Sequence, residues 1–314
     1  MIKIEEIKTM NLHFFESPNK LLASDETYQN IIIAELENLS FEENFILDAK
    51  SFNMLKKIKT NRKITFSGNN ITISSDEGKY KCKQIDKTKP DINIENTVYE
   101  NDYNLEKIRR ASRFTVTMSL YSRQQFCGVL FDDAGNVYGT DTFKIYKYSQ
   151  NNGGVRFWSV PVAFIDLINK DDCRLKFADN FVIYAGDYIA YSRLYSGLIP
   201  DINRVIKDAS NNQNKIVFKK DERINYYQSE TIDMIIEDNN MMLVYKDEIN
   251  EFKVNYPCSI DFPSKIELRF NYNHLNIVFN ILGDDIAMNF SNDLYKPLYF
   301  KNGDEEIVLT SLGR

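Results

Sequence analysis

The sequence predicts an α+β protein made of three similar domains, each with helices on one face of antiparallel sheets. Two observations predict it: a helix–hairpin pattern that recurs, and β-type alternation between short one-sided helices. The middle copy is the plainest. Residues 104–145, NLEKIRRASRFTVTMSLYSRQQFCGVLFDDAGNVYGTDTFKI, read as a basic amphipathic helix followed by strand, turn and strand. Residues 159–206 add a second helix (SVPVAFIDLINKDD), a hairpin (RLKFADNFVIYAGDYIAYSRLYSG) and the segment LIPDINRVI. The second half of this design recurs at 48–85 and again at 270–309. The strands after these helices begin near Ile64, Arg174 and Ile286, about 110 residues apart, so each copy is a small domain and not a solenoid unit. Domains are expected at 1–92, 93–210 and 211–314, with boundaries in the polar stretches KTKPDINIENT (87–97) and DASNNQNK (208–215).

Each element has a local reason. In 49–59, Phe52, Leu55 and Ile58 make one apolar stripe flanked by lysines. In 104–115 the stripe is Leu105, Ile108 and Ala111, and around 273–282 it is Leu275, Val278, Phe279 and Leu282. Ser159 followed by Pro161 reads as a helix start. Ile64, Phe66 and Ile71, Ile73 flank Ser-Gly-Asn-Asn, a hairpin signal. Arg174–Phe177 and Phe181–Tyr184 flank Ala-Asp-Asn, and Ile286–Phe290 meets Ser-Asn-Asp before Leu294–Phe300.

Composition narrows the function. Hydrophobic content of 43% and charged content of 27% suit a soluble globular protein, and 21 Phe and 19 Tyr beside one Trp suit β-rich packing. No run of about 18 apolar residues exists, and MIKIEEIKTM has acidic residues where a signal peptide would be apolar, so a cytoplasmic protein without membrane contact is expected. Cys82, Cys127, Cys173 and Cys258 are isolated in sequence and read as reduced thiols. The bias to Asn, Ile, Lys and Phe implies an AT-rich genome, such as that of a low-GC bacterium or a phage.

Net charge is −6, yet the positive charges are segregated. Residues 50–63 carry Lys50, Lys56, Lys57, Lys59, Arg62 and Lys63 and no acid. Lys107, Arg109, Arg110 and Arg113 follow in the second copy, and Lys215, Lys219, Lys220 and Arg223 in the third. Cations spread over separate repeats fit diffuse phosphate contacts with duplex DNA without base reading. The competing explanation is solvated faces that balance acidic neighbours.

Catalytic chemistry finds little to work with. The two histidines, His13 and His274, lie in different repeats, and Asp171-Asp172 and Asp284-Asp285 sit at turns. No P-loop, dinucleotide glycine pattern or Gly-x-Ser-x-Gly elbow occurs. No catalytic residue, metal site or cofactor is expected, and the chain is read as not an enzyme.

Three stretches carry a resemblance over nearly the whole chain. QQFCGVLF (124–131), YGTDTFKIY (138–146) and AYSRLYSGLIPDINRVI (190–206) resemble, in order and spacing, the corresponding segments of bacterial sliding clamps, the β subunits of DNA polymerase III. The resemblance implies a DNA-replication processivity factor: a head-to-tail homodimer closing a six-domain ring on duplex DNA. Helices would line the pore and sheets form the outer wall. It further implies a hydrophobic peptide groove between domains 2 and 3 that captures DNA polymerase and other clamp-motif proteins, and opening by a clamp loader. The groove residues carried over are Phe126, Thr140, Phe143, Ile145, Pro200, Arg204, Val205, Leu294, Lys296 and Leu309.

The sequence departs from the family in three places. The Gly-His pair of the family is Thr142-Phe143 here, and its Met-Pro-Met-Arg-Leu ending is Thr-Ser-Leu-Gly-Arg. The first repeat has few residues before its first hairpin, MNLHFFESPNKLLASD, so its first helix is expected to be missing or shortened. That shortening supports an alternative, a non-encircling monomeric adaptor or decoy that binds clamp-binding peptides.

Overall fold

A computed structural model describes residues 1–58, 61–76, 78–92, 97–119, 123–151, 154–219, 229–246, 251–260, 265–283, 285–293 and 296–312. One order of elements runs through it three times: four strands, a helix, three strands. The first run is β1 (Leu12–Glu16), β2 (Lys20–Ser24), β3 (Asn30–Glu35), β4 (Phe45–Asp48), α1 (Ala49–Lys57), β5 (Lys63–Ser67), β6 (Asn70–Ser75) and β7 (Gly78–Lys83). β8 (Tyr99–Asn104) and α2 (Leu105–Ser112) open the second. It continues through β9 (Gly128–Asp132), β10 (Val137–Thr140), β11 (Lys144–Tyr148), β12 (Phe157–Pro161), α3 (Val162–Ile165), β13 (Asp172–Phe177), β14 (Phe181–Ala185) and β15 (Ile189–Arg193). Helix α4 (Ile202–Ser210) and β16 (Asn214–Lys219) lead to the third. There follow β17 (Thr231–Glu237), β18 (Asn240–Lys246), β19 (Glu251–Ile260), β20 (Ile266–Asn271), α5 (Tyr272–Ile281), β21 (Asp285–Phe290), β22 (Leu298–Asn302) and β23 (Glu305–Leu309). The fold is α+β with antiparallel sheets, as the sequence predicts. No helix among the described residues is long and apolar enough to cross a membrane.

The chain divides into two compact units, Met1–Leu105 with Val160–Tyr195, and Glu106–Ser159 with Ser196–Arg314. In the first unit an eight-stranded sheet runs β4-β1-β2-β3-β15-β14-β13-β8. Its middle junction joins strands of two runs: β15 lies antiparallel to β3, with Ile189 opposite Ile33 and Tyr191 opposite Ile31. Helix α1 starts because the Asp48 side chain accepts a hydrogen bond from the Ser51 backbone at 2.7 Å, satisfying a free helix-end donor. Phe52 and Leu55 of its stripe are buried as predicted, and Ile58, just past the helix, is half-buried. Phe52 stacks on the His13 ring at 3.6 Å, and burial of Phe52 stabilises the unit by about 1.5–3 kcal/mol. A separate sheet, β5-β6-β7, buries Ile71 and Ile73 on the face toward α1, where the Tyr80 hydroxyl meets Ser51 Oγ at 3.5 Å.

In the second unit a twelve-stranded sheet runs β12-β9-β10-β11-β23-β22-β21-β16-β19-β18-β17-β20. Its β11–β23 junction repeats the β3–β15 junction of the first unit: the third strand of one run meets the last strand of another. Phe279 of α5 packs edge-on against Phe218 of β16 at 5.8 Å.

Three local expectations need correction, and a fourth holds. Ser159 and Pro161 end a strand instead of starting a long helix: Trp158 and Val160 are buried as strand residues, and Ser159 Oγ donates to the Gln125 carbonyl at 3.0 Å. Only Val162–Ile165 is helical there. Residues 208–210, read as linker, close α4, which Asp201 caps by accepting from the Arg204 backbone at 3.0 Å. The last hairpin resumes at Leu298, four residues later than expected. The predicted shortening of the first repeat appears as a single 3-10 turn, Ile4–Glu6, ahead of β1.

Candidate partner groove and basic helix faces

The groove residues that the structure describes all lie in the second unit; Leu294 lies outside the described residues. Antiparallel register sets the floor. Ile145 of β11 lies opposite Val308, and Lys144 opposite Leu309, while Leu309 also faces Leu298 across β22. Helix α4 lays Ile202, Ile206 and Ala209 onto a cluster containing Tyr138, Ile145, Tyr299 and Val308. The 3.6-residue period then turns Arg204 and Val205 outward; Val205 is 41% exposed. Pro200 precedes the cap and is exposed.

Phe126, Thr140, Ile145 and Leu309 are buried, so they are core beneath the site and not its contact surface. Phe143 is different: it is 55% exposed at the tip of the β10–β11 turn. That turn is held tightly. Asp141 Oδ1 accepts from the Phe143 and Lys144 backbones at 2.9 and 2.8 Å, and the Thr142 backbone donates to Thr140 Oγ1 at 3.1 Å. The Phe143 carbonyl accepts from both Thr310 N and Thr310 Oγ1 at 2.9 Å, fastening the turn to the strand that follows β23. Thr142 has φ of 78°, a left-handed conformation costly for a β-branched residue, at the position where the family resemblance places glycine.

Two neighbours were not read from the sequence. The His274 ring of α5 lies 6.0 Å from that of Phe143, with its Nε2 3.5 Å from Asp141 Oδ2. Burial, then the nearby Lys144 ammonium, lowers the His274 pKa against the pull of Asp141, so the ring is neutral at pH 7. Leu198 is 88% exposed, and its carbonyl accepts from Gln125 Nε2 at 3.1 Å, next to Phe126. Leu198, two residues before Pro200 in LIPDINRVI, was the available signal. Lys296 is exposed in the turn before β22, its backbone donating to the Asp293 carbonyl at 3.0 Å. Phe143, Leu198 and Val205 are the exposed apolar side chains among these residues, and the Arg204 guanidinium, 78% exposed, lies on α4.

The basic residues separate into three groups. Lys50 and Lys57 on α1 and Arg109 on α2 are exposed on helix faces, and Arg113 is exposed in the turn after α2. Lys63, Lys215 and Lys219 are exposed but sit on strands. Strand alternation puts Lys215 and Lys219 on the face opposite Ile216 and Phe218, away from α5, and Lys63 away from α1. The other described residues of that predicted set are engaged internally. Lys56 Nζ donates to the Ile7 carbonyl at 2.6 Å, and Arg62 is ion-paired with Glu5, its side chain only 4% exposed. Lys107 and Arg110 converge on Glu305, at 3.0 and 2.9 Å. Lys59, Lys220 and Arg223 lie outside the described residues.

Glu305 explains the corrections on α2. It is 4% exposed on β23 and accepts from both Arg110 and the Tyr146 hydroxyl, the latter at 2.6 Å. Burial pushes its carboxyl up, but hydrogen bonds from Tyr146, Lys107 and Arg110 outweigh that and hold it below its usual range. These two cations neutralise a buried carboxylate, whereas Arg109 and Arg113 are exposed.

No family model matches the sequence, and no curated protein matches it. Solved structures do. A putative DNA polymerase III β subunit from Eubacterium rectale is similar at TM-score 0.81 and 16% identity, covering 99% of this chain and 94% of that one. The DNA polymerase III β subunit of Pseudomonas aeruginosa is similar at TM-score 0.80 and 13% identity over 99% and 95%. The Helicobacter pylori β clamp bound to a DNA ligase peptide matches at 0.80 and 13% over 98% and 93%. Over almost its full length, the chain has the fold of the DNA polymerase III β subunit, the bacterial sliding clamp.

Proposed function

We propose that the chain is a sliding-clamp subunit of DNA replication, with domains at 1–92, 93–210 and 211–314. Two copies close head to tail around duplex DNA, and the ring tethers a DNA polymerase without doing chemistry itself. The observation that carries this reading is the repeated strand junction. β3 meets β15, and β11 meets β23, so third-strand and last-strand edges are complementary twice within one chain. The remaining third strand is β19, whose second side, among the described residues, is paired only along Ile260–Cys258 with β16, and the remaining last strand is β7, the end of its sheet. In the proposed ring each β7 closes on the β19 edge of the other copy. Lys50, Lys57 and Arg109 on the helices, and Arg113 just after α2, are the cations for the DNA. The surface of Phe143, Leu198, Arg204 and Val205 takes a hydrophobic peptide, a reading supported by the peptide-bound Helicobacter clamp.

The experiment is retention on circular duplex DNA after loading, followed by a high-salt wash and then linearisation. A ring stays on the circle through the wash and leaves when an end is cut. Loss in the wash, with no difference between circular and linear DNA, would refute encirclement. The 3-10 turn that stands in for a first helix favours one other reading, a monomeric adaptor that keeps the peptide surface and never encircles DNA.

A further inference from the structure

The β5-β6-β7 sheet of the first unit has one face packed and one face open. Toward α1 it presents Ile71, Ile73, Tyr80 and Cys82. Alternation sends the other residues to the opposite face. There β5 contributes Lys63, β7 contributes Lys79, Lys81 and Lys83, and β6 places Ser74, Thr72 and Asn70 opposite the three β7 lysines in turn. All four lysines are exposed, and among the described residues none forms an ion pair. Four unneutralised ammonium groups on one side of a three-stranded sheet, in a chain of net charge −6, form a separate positive field.

We infer that this open face is a second contact surface for the phosphate backbone of duplex DNA, separate from the helix-borne cations. Three features favour that occupant. The side chains are Lys, Ser, Thr and Asn, the types that contact phosphates without reading sequence. Alternate residues of a strand lie about 6.8 Å apart, so the three β7 lysines form an evenly spaced row of charge that can lie along a phosphate backbone. The described face holds no aromatic ring on which unpaired bases would stack, and no apolar pocket to anchor an acidic peptide. The contact stands on this chemistry alone. Its role rests on the clamp reading: an outer face holds DNA by charge before the ring closes on it.

A relaxed, covalently closed DNA circle mixed with the protein and no loader tests the contact. Affinity is followed as salt rises from 50 to 200 mM, and wild type is compared with a variant carrying Lys63→Thr, Lys79→Thr, Lys81→Thr and Lys83→Thr. Threonine suits an exposed strand position, and circular dichroism checks that the variant is folded. Four phosphate contacts contribute a slope of about −3.6 in log K against log salt, a loss of about 150-fold over that range. The slope is expected to flatten by about that amount in the variant, and by about half with Lys79→Thr and Lys81→Thr alone. A quadruple or double variant with the wild-type slope would overturn the proposal. So would binding of poly-glutamate but not DNA, which would assign the face to an acidic protein. Failure of the clamp reading looks different: DNA is lost in the high-salt wash after loading, while this low-salt binding persists.

Discussion

Glu305→Gln removes one charge from a nearly closed network and leaves the shape intact. The carboxylate is 4% exposed and holds Lys107, Arg110 and the Tyr146 hydroxyl together. Breaking a fully buried pair costs about 3–5 kcal/mol, but the Lys107 and Arg110 side chains are 23% and 25% exposed, so water recovers part of it. A loss of roughly 2–3 kcal/mol is expected. The single tryptophan, Trp158, is 3% exposed in the second unit, so its fluorescence reports unfolding of that unit in urea. With a slope of about 2 kcal/mol per molar, the midpoint falls by about 1–1.5 M. The pH dependence has a definite sign. The folded carboxyl lies below its unfolded value, so its contribution is complete above about pH 4.5 and fades as pH falls through the folded value. Glu305→Gln therefore flattens the acid limb of stability. Combined with Arg110→Met, the two losses should be less than additive by about 1 kcal/mol or more. A midpoint unchanged by Glu305→Gln, or strict additivity with Arg110→Met, would refute the network and return Arg110 to the DNA-facing set.

Thr142→Gly relieves a β-branched residue at φ 78°. Relief of about 1–3 kcal/mol, less about 0.5–1 for glycine entropy, should raise the same urea midpoint by about 0.5 M. His13 is buried and its pKa is lowered to about 3, so the unfolded first unit takes up a proton that the folded one refuses. Stability of that unit should fall by roughly 2 kcal/mol between pH 6.5 and 5, read by hydrogen exchange of β1 amides, and His13→Phe should abolish the slope. In the groove, Phe143→Ala and Arg204→Ala should weaken a clamp-binding peptide about tenfold in a fluorescence titration while melting as wild type. Leu309→Ala, at a fully buried position, should instead cost about 2–5 kcal/mol of stability.

Hairpins and one-sided helices were legible because their signals are local. Gly68 adopts φ 57° in the turn that Ser-Gly-Asn-Asn announced, and Phe52, Leu55, Ile108 and Leu275 are buried on the faces their spacing predicted. Helix α4 was hidden because its polar end, Asp208 to Ser210, looks like a linker, although Ile202, Ile206 and Ala209 carry a helical stripe. Ser159 and Pro161 carry a helix-start signal, but burial of Trp158 and Val160 in a strand overrode it. The candidate site was legible in its chain order and not in its exposure. Nothing local separates Phe126, which is core, from Phe143, which is surface. Arg110 and Glu305 stand 195 residues apart, so no reading along the chain pairs them. The direction of Lys215 and Lys219 was available in principle, since both alternate with the buried Ile216 and Phe218.

Solution mass by light scattering, over a wide range of concentration, tests the central claim most directly. The account predicts a stable dimer of two 36.7 kDa chains, as closure of β7 on β19 at two equivalent junctions requires. A monomer at every concentration, with or without circular DNA and a clamp loader, would contradict the ring and leave the peptide-binding adaptor in its place.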